Sequence, residues 1–113
     1  MSAFVDKMRR RAGRWLDQRP MRVAPERGVF SLSFDDIPAT AWTEAGPILA
    51  EHGVKATYYV CGGLESGQNL GLPQFTTAHL QALFEAGHEV GCHTFSHLSA
   101  LRASPAAYAA DLD

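Results

Sequence analysis

Cysteine is scarce, long apolar runs are missing and no segment repeats. Two cysteines in 113 residues, Cys61 and Cys92, are too few for a disulfide framework. Both are expected to be small, reduced, packing residues, with support of a nearby metal site as the alternative. No run of about 18 apolar residues occurs, so no membrane-spanning helix is expected. The basic N-terminus lacks the unbroken apolar stretch of an export signal, because Trp15-Leu16 is followed at once by Asp17-Gln18. No signal peptide is read, and a cytoplasmic location is expected. What is present is ordinary for a globular chain: 46% hydrophobic and 10% aromatic residues can build the core of one small domain.

Charge is unevenly spread. Residues 1–27 hold eight of the ten basic residues against three acidic ones, a net of +5, which leaves −7 for the remainder of a chain whose total is −2. Phe4, Val5, Met8, Ala12, Trp15 and Leu16 recur at three- and four-residue spacing, predicting a basic amphipathic helix. This divides the chain into an N-terminal helical extension, 1–27, and a domain, 28–113. The apolar stripe is expected to pack on the domain, with attachment to an anionic membrane or to nucleic acid as the weaker alternatives.

From Gly28 the pattern becomes strand-like, and Val29 to Phe34 deliver Asp35 and Asp36 at the strand's end. Apolar spacing returns through Ala45, Ile48 and Leu49 to a helix stop at Gly53, with Pro47 either in the first turn or at a kink. Ala56–Val60 predicts a second strand closed by Gly62-Gly63, and Glu65–Gln74 a loop. Thr76 or Thr77 caps a helix through Leu80, Leu83 and Phe84 that closes at Gly87. His88–Cys92 forms a third strand delivering His93, and Ser104-Pro105 starts a helix that has hardly begun at Asp113, so the domain is expected to be truncated. The alternation implies an α/β fold of three parallel β/α units, one side of a barrel or half of an open sheet. The open edges of such a partial sheet invite self-association.

In parallel β/α proteins functional residues gather at the carboxyl ends of strands, where Asp35, Asp36 and His93 fall. Two imidazoles and a carboxylate form the ligand set of an open divalent-metal site, suited to zinc, iron or a similar ion. Adjacent aspartates point apart on an extended backbone, so one can hold the metal while the other faces its water and accepts a proton. The spacing of His93 and His97 places both rings on one side of a turn. Each signal has a bland counterpart: Asp pairs also cap helices, and histidines four apart are often surface residues.

Ser33-Phe34-Asp35-Asp36, Ala56-Thr57-Tyr58-Tyr59-Val60 and the run from Gly87 to His97, Gly-His-Glu-Val-Gly-Cys-His-Thr-Phe-Ser-His, resemble the polysaccharide deacetylase family, the carbohydrate esterases related to chitooligosaccharide deacetylase. The resemblance runs from about residue 29 to the C-terminus. It implies the N-terminal part of a distorted (β/α) barrel and a metal-dependent hydrolase that removes acetyl groups from N- or O-acetylated sugars. It further implies Asp35 as general base, Asp36, His93 and His97 as metal ligands, Thr94 as a loop-supporting hydroxyl, and a divalent cofactor with zinc as the first candidate. The implied partner is an acetylated oligo- or polysaccharide, with no nucleic acid. His52, His79 and His88 are expected to be structural or surface residues. The family usually has glycine after the Asp pair, whereas Ile37-Pro38 stands here. Its later motifs, which supply an arginine contacting the base, oxyanion donors, an apolar wall and a histidine acid, find no match before Asp113, so turnover by this piece alone is expected to be incomplete. A non-catalytic carbohydrate- or metal-binding module, or a hydrolase of small non-sugar amides, are the alternatives.

Overall fold

A computed structural model describes residues 3–16 and 20–112. Residues 1, 2 and 17–19 of the expected extension, and Asp113, lie outside the described residues. Along the chain run α1 (Ala3–Leu16), β1 (Ser33–Asp35), α2 (Thr40–Thr43), α3 (Ala45–Glu51), β2 (Thr57–Val60), a 3-10 turn (Gly62–Leu64), β3 (Gln68–Asn69), β4 (Leu72–Pro73), α4 (Thr77–Glu85), β5 (Glu89–Cys92) and α5 (Pro105–Ala110).

The aromatic and β-branched run Thr57-Tyr58-Tyr59-Val60 makes the central strand of a three-stranded parallel sheet ordered β1-β2-β5. Register places Asp35 opposite Tyr59 and Cys92 opposite Val60. Strand alternation sends Tyr58 fully inward while Tyr59 remains exposed. Ile37, Ala41, Leu49, Ala56, Tyr58, Phe75 and Leu83 form the core, backed by Phe34, Trp42, Val54 and Leu80. Phe34 stacks on Tyr58 at 4.8 Å between ring centroids. The Tyr58 hydroxyl donates to the Ala41 carbonyl at 3.2 Å, so its polar end is satisfied inside the core. Burial raises the Tyr58 pKa above its ordinary 10.0.

Three local features differ from expectation. The first strand is confined to Ser33–Asp35, because among the described residues β1 pairs with β2 alone and residues 29–32 stay exposed. The following helix is broken into α2 and α3 at Glu44. Pro47 explains the break, since it has no N–H to return to the Thr43 carbonyl one turn back. Gly46 lets the two pieces pack: a Cβ there would lie 2.9 Å from the Trp42 ring. The stretch read as a loop, Glu65–Gln74, contains the hairpin β3–β4, turning at Leu70 (φ 51) and Gly71 (φ 79). A two-residue turn with both φ positive fits the strand twist, but leucine is not a residue that signals it.

The helix expected at the N-terminus is present as α1, but its apolar residues do not pack on the domain. Phe4, Met8, Trp15 and Leu16 are all exposed. Elsewhere the boundary chemistry matches the residues. Gly53 (φ 64) and Gly87 (φ 79) follow the helices they close. Thr76 caps α4 in a reciprocal box in which His79 Nδ1 accepts from the Thr76 N–H. Ser104 accepts from the Ala107 N–H ahead of Pro105, giving α5 a side-chain cap and a proline start.

Candidate metal centre

The three parallel strands end on one side, and the next residue after each is brought to the same place. Beyond β1 comes Asp36, beyond β2 comes Cys61, and beyond β5 comes His93, whose N–H continues the ladder to the Val60 carbonyl at 2.8 Å. Asp36 Oδ1 lies 3.7 Å from His93 Nε2 and 3.6 Å from His97 Nε2. The two imidazole centroids are 5.0 Å apart. One ligand atom from each of Asp36, His93 and His97 falls within 4.8 Å of the others.

These separations suit a divalent ion. A tetrahedral centre with bonds of about 2.0–2.2 Å holds its ligand atoms about 3.3–3.6 Å apart. The side chains are 27% exposed for Asp36, 34% for His93 and 59% for His97, so one flank of the group opens to solvent. Three ligands with an open side are what a catalytic site needs and what a closed structural site does not have.

The backbone around the group is held in costly conformations. Asp36 (φ 56), Thr94 (φ 63) and His97 (φ 56) are left-handed without being glycine. Such residues are uncommon; aspartate and histidine enter this region more readily than most, but for β-branched threonine the conformation is an outlier that its surroundings must hold. The left-handed backbone at Asp36 also changes the reason why the paired aspartates separate. They do so because the chain turns sharply at Asp36, with Ile37 next to it 1% exposed and anchored in the core. Pro38 then bridges to Gln74, and the Phe75 N–H donates to the Ile37 carbonyl at 3.1 Å. These contacts set the path of the loop that Ile37-Pro38 creates.

The histidine loop is tied from several directions. Thr94, 4% exposed, accepts the Leu98 N–H on Oγ1 at 2.8 Å. The Phe95 N–H donates to the Asp111 carbonyl at 2.8 Å, while the Ser96 N–H and hydroxyl both donate to the Asp111 carboxylate. The Ser96 hydroxyl first, and its N–H second, hold the Asp111 carboxyl below the usual range. On the opposite side the Gly63 N–H donates to the Phe95 carbonyl at 2.8 Å. A Cβ at Gly62 would meet the Phe95 ring at 2.7 Å, so the glycine pair that ends β2 also admits the histidine loop.

Asp35, at the end of β1, is exposed and lies outside the three-atom group. Cys61 is fully buried, and its Sγ is 3.3 Å from Asp36 Oδ1 and 3.3 Å from the His93 carbonyl. Burial first, and then the Asp36 carboxylate, push this thiol up to about 12. Cys92 is exposed, so burial holds for one of the two cysteines only. His52 is exposed beyond α3, His79 belongs to the α4 cap, and His88 is buried against Tyr58 and Trp42. Reading the sequence missed Asp111 and Ser96 altogether, because no local pattern links residues 15 apart through one carboxylate. For Cys61 a signal existed, namely its place one step beyond the central strand.

A family model described as polysaccharide deacetylase matches residues 22–113. A curated chitin deacetylase of Pestalotiopsis sp is 37% identical over 69 residues, which is 61% of this chain and 22% of the relative. The chain thus spans about a fifth of the length of that relative. No solved structure matches the chain.

Proposed function

Because the chain belongs to the polysaccharide deacetylase family, we propose that it takes part in the hydrolytic removal of acetyl groups from N- or O-acetylated sugars, with Asp36, His93 and His97 as the ligands of a divalent metal. The observation that carries this reading is the convergence of three ligand atoms from two strand-end loops, with strained backbone at Asp36 and His97. Zinc is the first candidate, since the spacing from Asp36 to both imidazoles is near that of a tetrahedral centre. The sheet adds each new strand on the same side, β1-β2-β5, which supports reading residues 28–113 as part of a (β/α) barrel.

Placement supports a division of labour. The metal would supply Lewis acidity that polarises the acetyl carbonyl and acidifies the attacking water. Asp36 and the two imidazoles would hold the ion, and the exposed flank beside His97 would admit the acetyl group. Asp35 precedes the metal-binding aspartate, lies outside the ligand group and is open to solvent, so its carboxylate oxygen is free to accept the proton of the attacking water. Thr94 keeps the His97 end of the loop in place through its bond from Leu98.

Metal titration tests this directly. Wild-type chain should take up one zinc or cobalt ion, and a His93→Ala, His97→Ala double variant should take up none. Equal uptake by both proteins, or none by folded wild type, overturns the assignment. Asp35→Asn should retain the metal and any binding of acetylated chitooligosaccharide. Acetate release that survives in that variant would remove Asp35 as the base.

A further inference from the structure

The Cys61 side chain lies between the Asp36 loop and the histidine loop, and packing alone does not account for its contacts. It follows β2, the middle strand, so the Asp36 loop lies on one side of it and the histidine loop on the other. Its sulfur is 3.3 Å from Asp36 Oδ1, the same oxygen that faces both imidazoles. It is also 3.3 Å from the His93 carbonyl. One buried atom therefore touches the Asp36 carboxylate on one side and the start of the histidine loop on the other.

Each contact has a different effect. The thiol has one proton, and the carboxylate is a stronger acceptor for it than the peptide carbonyl because charge assists the bond. Donation to Oδ1 fixes the rotation of the Asp36 carboxylate, while the large sulfur against the His93 carbonyl sets how near the histidine loop can come. A ligating carboxylate held by a buried donor loses less freedom when an ion arrives. We propose that Cys61 is a positioning residue that sets the spacing of Asp36 from His93 and His97, and so the affinity and coordination geometry for the ion. The inference rests on the metal reading above and adds a residue to it.

Two variants separate the polar role from simple filling of space. Cys61→Val retains an apolar group of similar bulk and cannot donate. Cys61→Ser retains a donor on a shorter bond. Cobalt affinity by competition with a chelating dye, together with the visible absorption of the cobalt-loaded protein, reports affinity and geometry without any assay of activity. Far-UV circular dichroism and thermal unfolding without metal report whether each variant is folded. The valine variant should bind cobalt about 10- to 100-fold more weakly than wild type, with altered band intensity, and the serine variant should lose less. Should the valine variant not fold, Cys61→Ala, which cannot overfill the site, is measured in its place with the same expectation. Wild-type affinity and spectrum in the folded valine or alanine variant overturn the role of Cys61 alone. Folded wild type that takes up no cobalt overturns both this inference and the metal reading beneath it.

Discussion

Replacing Thr94 separates the two effects that meet at this residue. Its Oγ1 accepts the Leu98 N–H at 2.8 Å in a position only 4% exposed, and its φ of 63 strains a β-branched side chain. Thr94→Val keeps the shape and the strain but removes the acceptor. Leaving a donor unpaired in a part-buried place costs about 1–3 kcal/mol. Thr94→Gly relieves about 1–2 kcal/mol of left-handed strain but loses the same hydrogen bond and adds about 0.5–1 kcal/mol of chain entropy to the unfolded state. The hydrogen bond and the entropy together exceed the relief, so glycine should also destabilise, by less than valine. Thr94→Ser keeps the acceptor and drops the branch, and should match wild type or exceed it slightly.

Urea unfolding with and without saturating zinc gives two readings from each variant. The metal-free difference reports the hydrogen bond. The extra stability added by zinc reports how well His97 is held, since each tenfold loss of affinity removes about 1.4 kcal/mol of it at saturation. Valine should lower both quantities and serine neither. A valine variant as stable as wild type, with undiminished zinc stabilisation, would refute the view that the Thr94 hydroxyl holds this loop.

Other positions carry sharper tests of the fold. Gly46→Ala should destabilise by about 1–3 kcal/mol in urea, because the clash with Trp42 at 2.9 Å outweighs the gain of about 1 kcal/mol in helix propensity; equal or greater stability would contradict it. Leu70 is 94% exposed with φ 51, so Leu70→Asn should raise stability by about 1 kcal/mol, and a fall in the unfolding midpoint would count against the turn. His88 accepts the Ala56 N–H on Nδ1, and burial, followed by the charge of Lys55, lowers its pKa below 6.5. Between that lowered value and 6.5 the unfolded chain binds more protons, so the His88 contribution is full above 6.5 and is lost as pH falls through this window. Stability measured from pH 5 to 8 should therefore rise more steeply with pH in wild type than in His88→Asn; parallel curves would show that His88 does not titrate in this way.

Much of the fold is legible because its signals are local. Thr57 to Val60 declare a strand by residue type, Thr76 and Ser104 declare helix starts, and Gly53 and Gly87 declare helix ends. The place of Asp36 and His93 follows from a topological rule, since residues one step beyond parallel strands share a face. What stays hidden has a different physical character. Leucine at a left-handed turn and the packing of Gly46 on Trp42 depend on partners, not on propensity. So does the exposure of the α1 stripe, because periodicity marks an apolar face without saying what covers it.

The same distinction runs through the candidate centre. Three candidate ligands can be read from two short motifs, but the distances between them also depend on residues outside those motifs. Cys61 is 25 residues from Asp36 and 32 from His93, and Asp111 is 15 from Ser96. Thr94 in particular is held in its left-handed conformation by its surroundings, since a β-branched side chain disfavours that region. A chain could therefore keep the whole motif and still lose the spacing of 3.6–3.7 Å on which the proposed metal capture would depend. On the proposed reading, the motif residues would decide which ion the site can take, and the ties from Cys61, Thr94 and Asp111 would decide whether the site is assembled to take it.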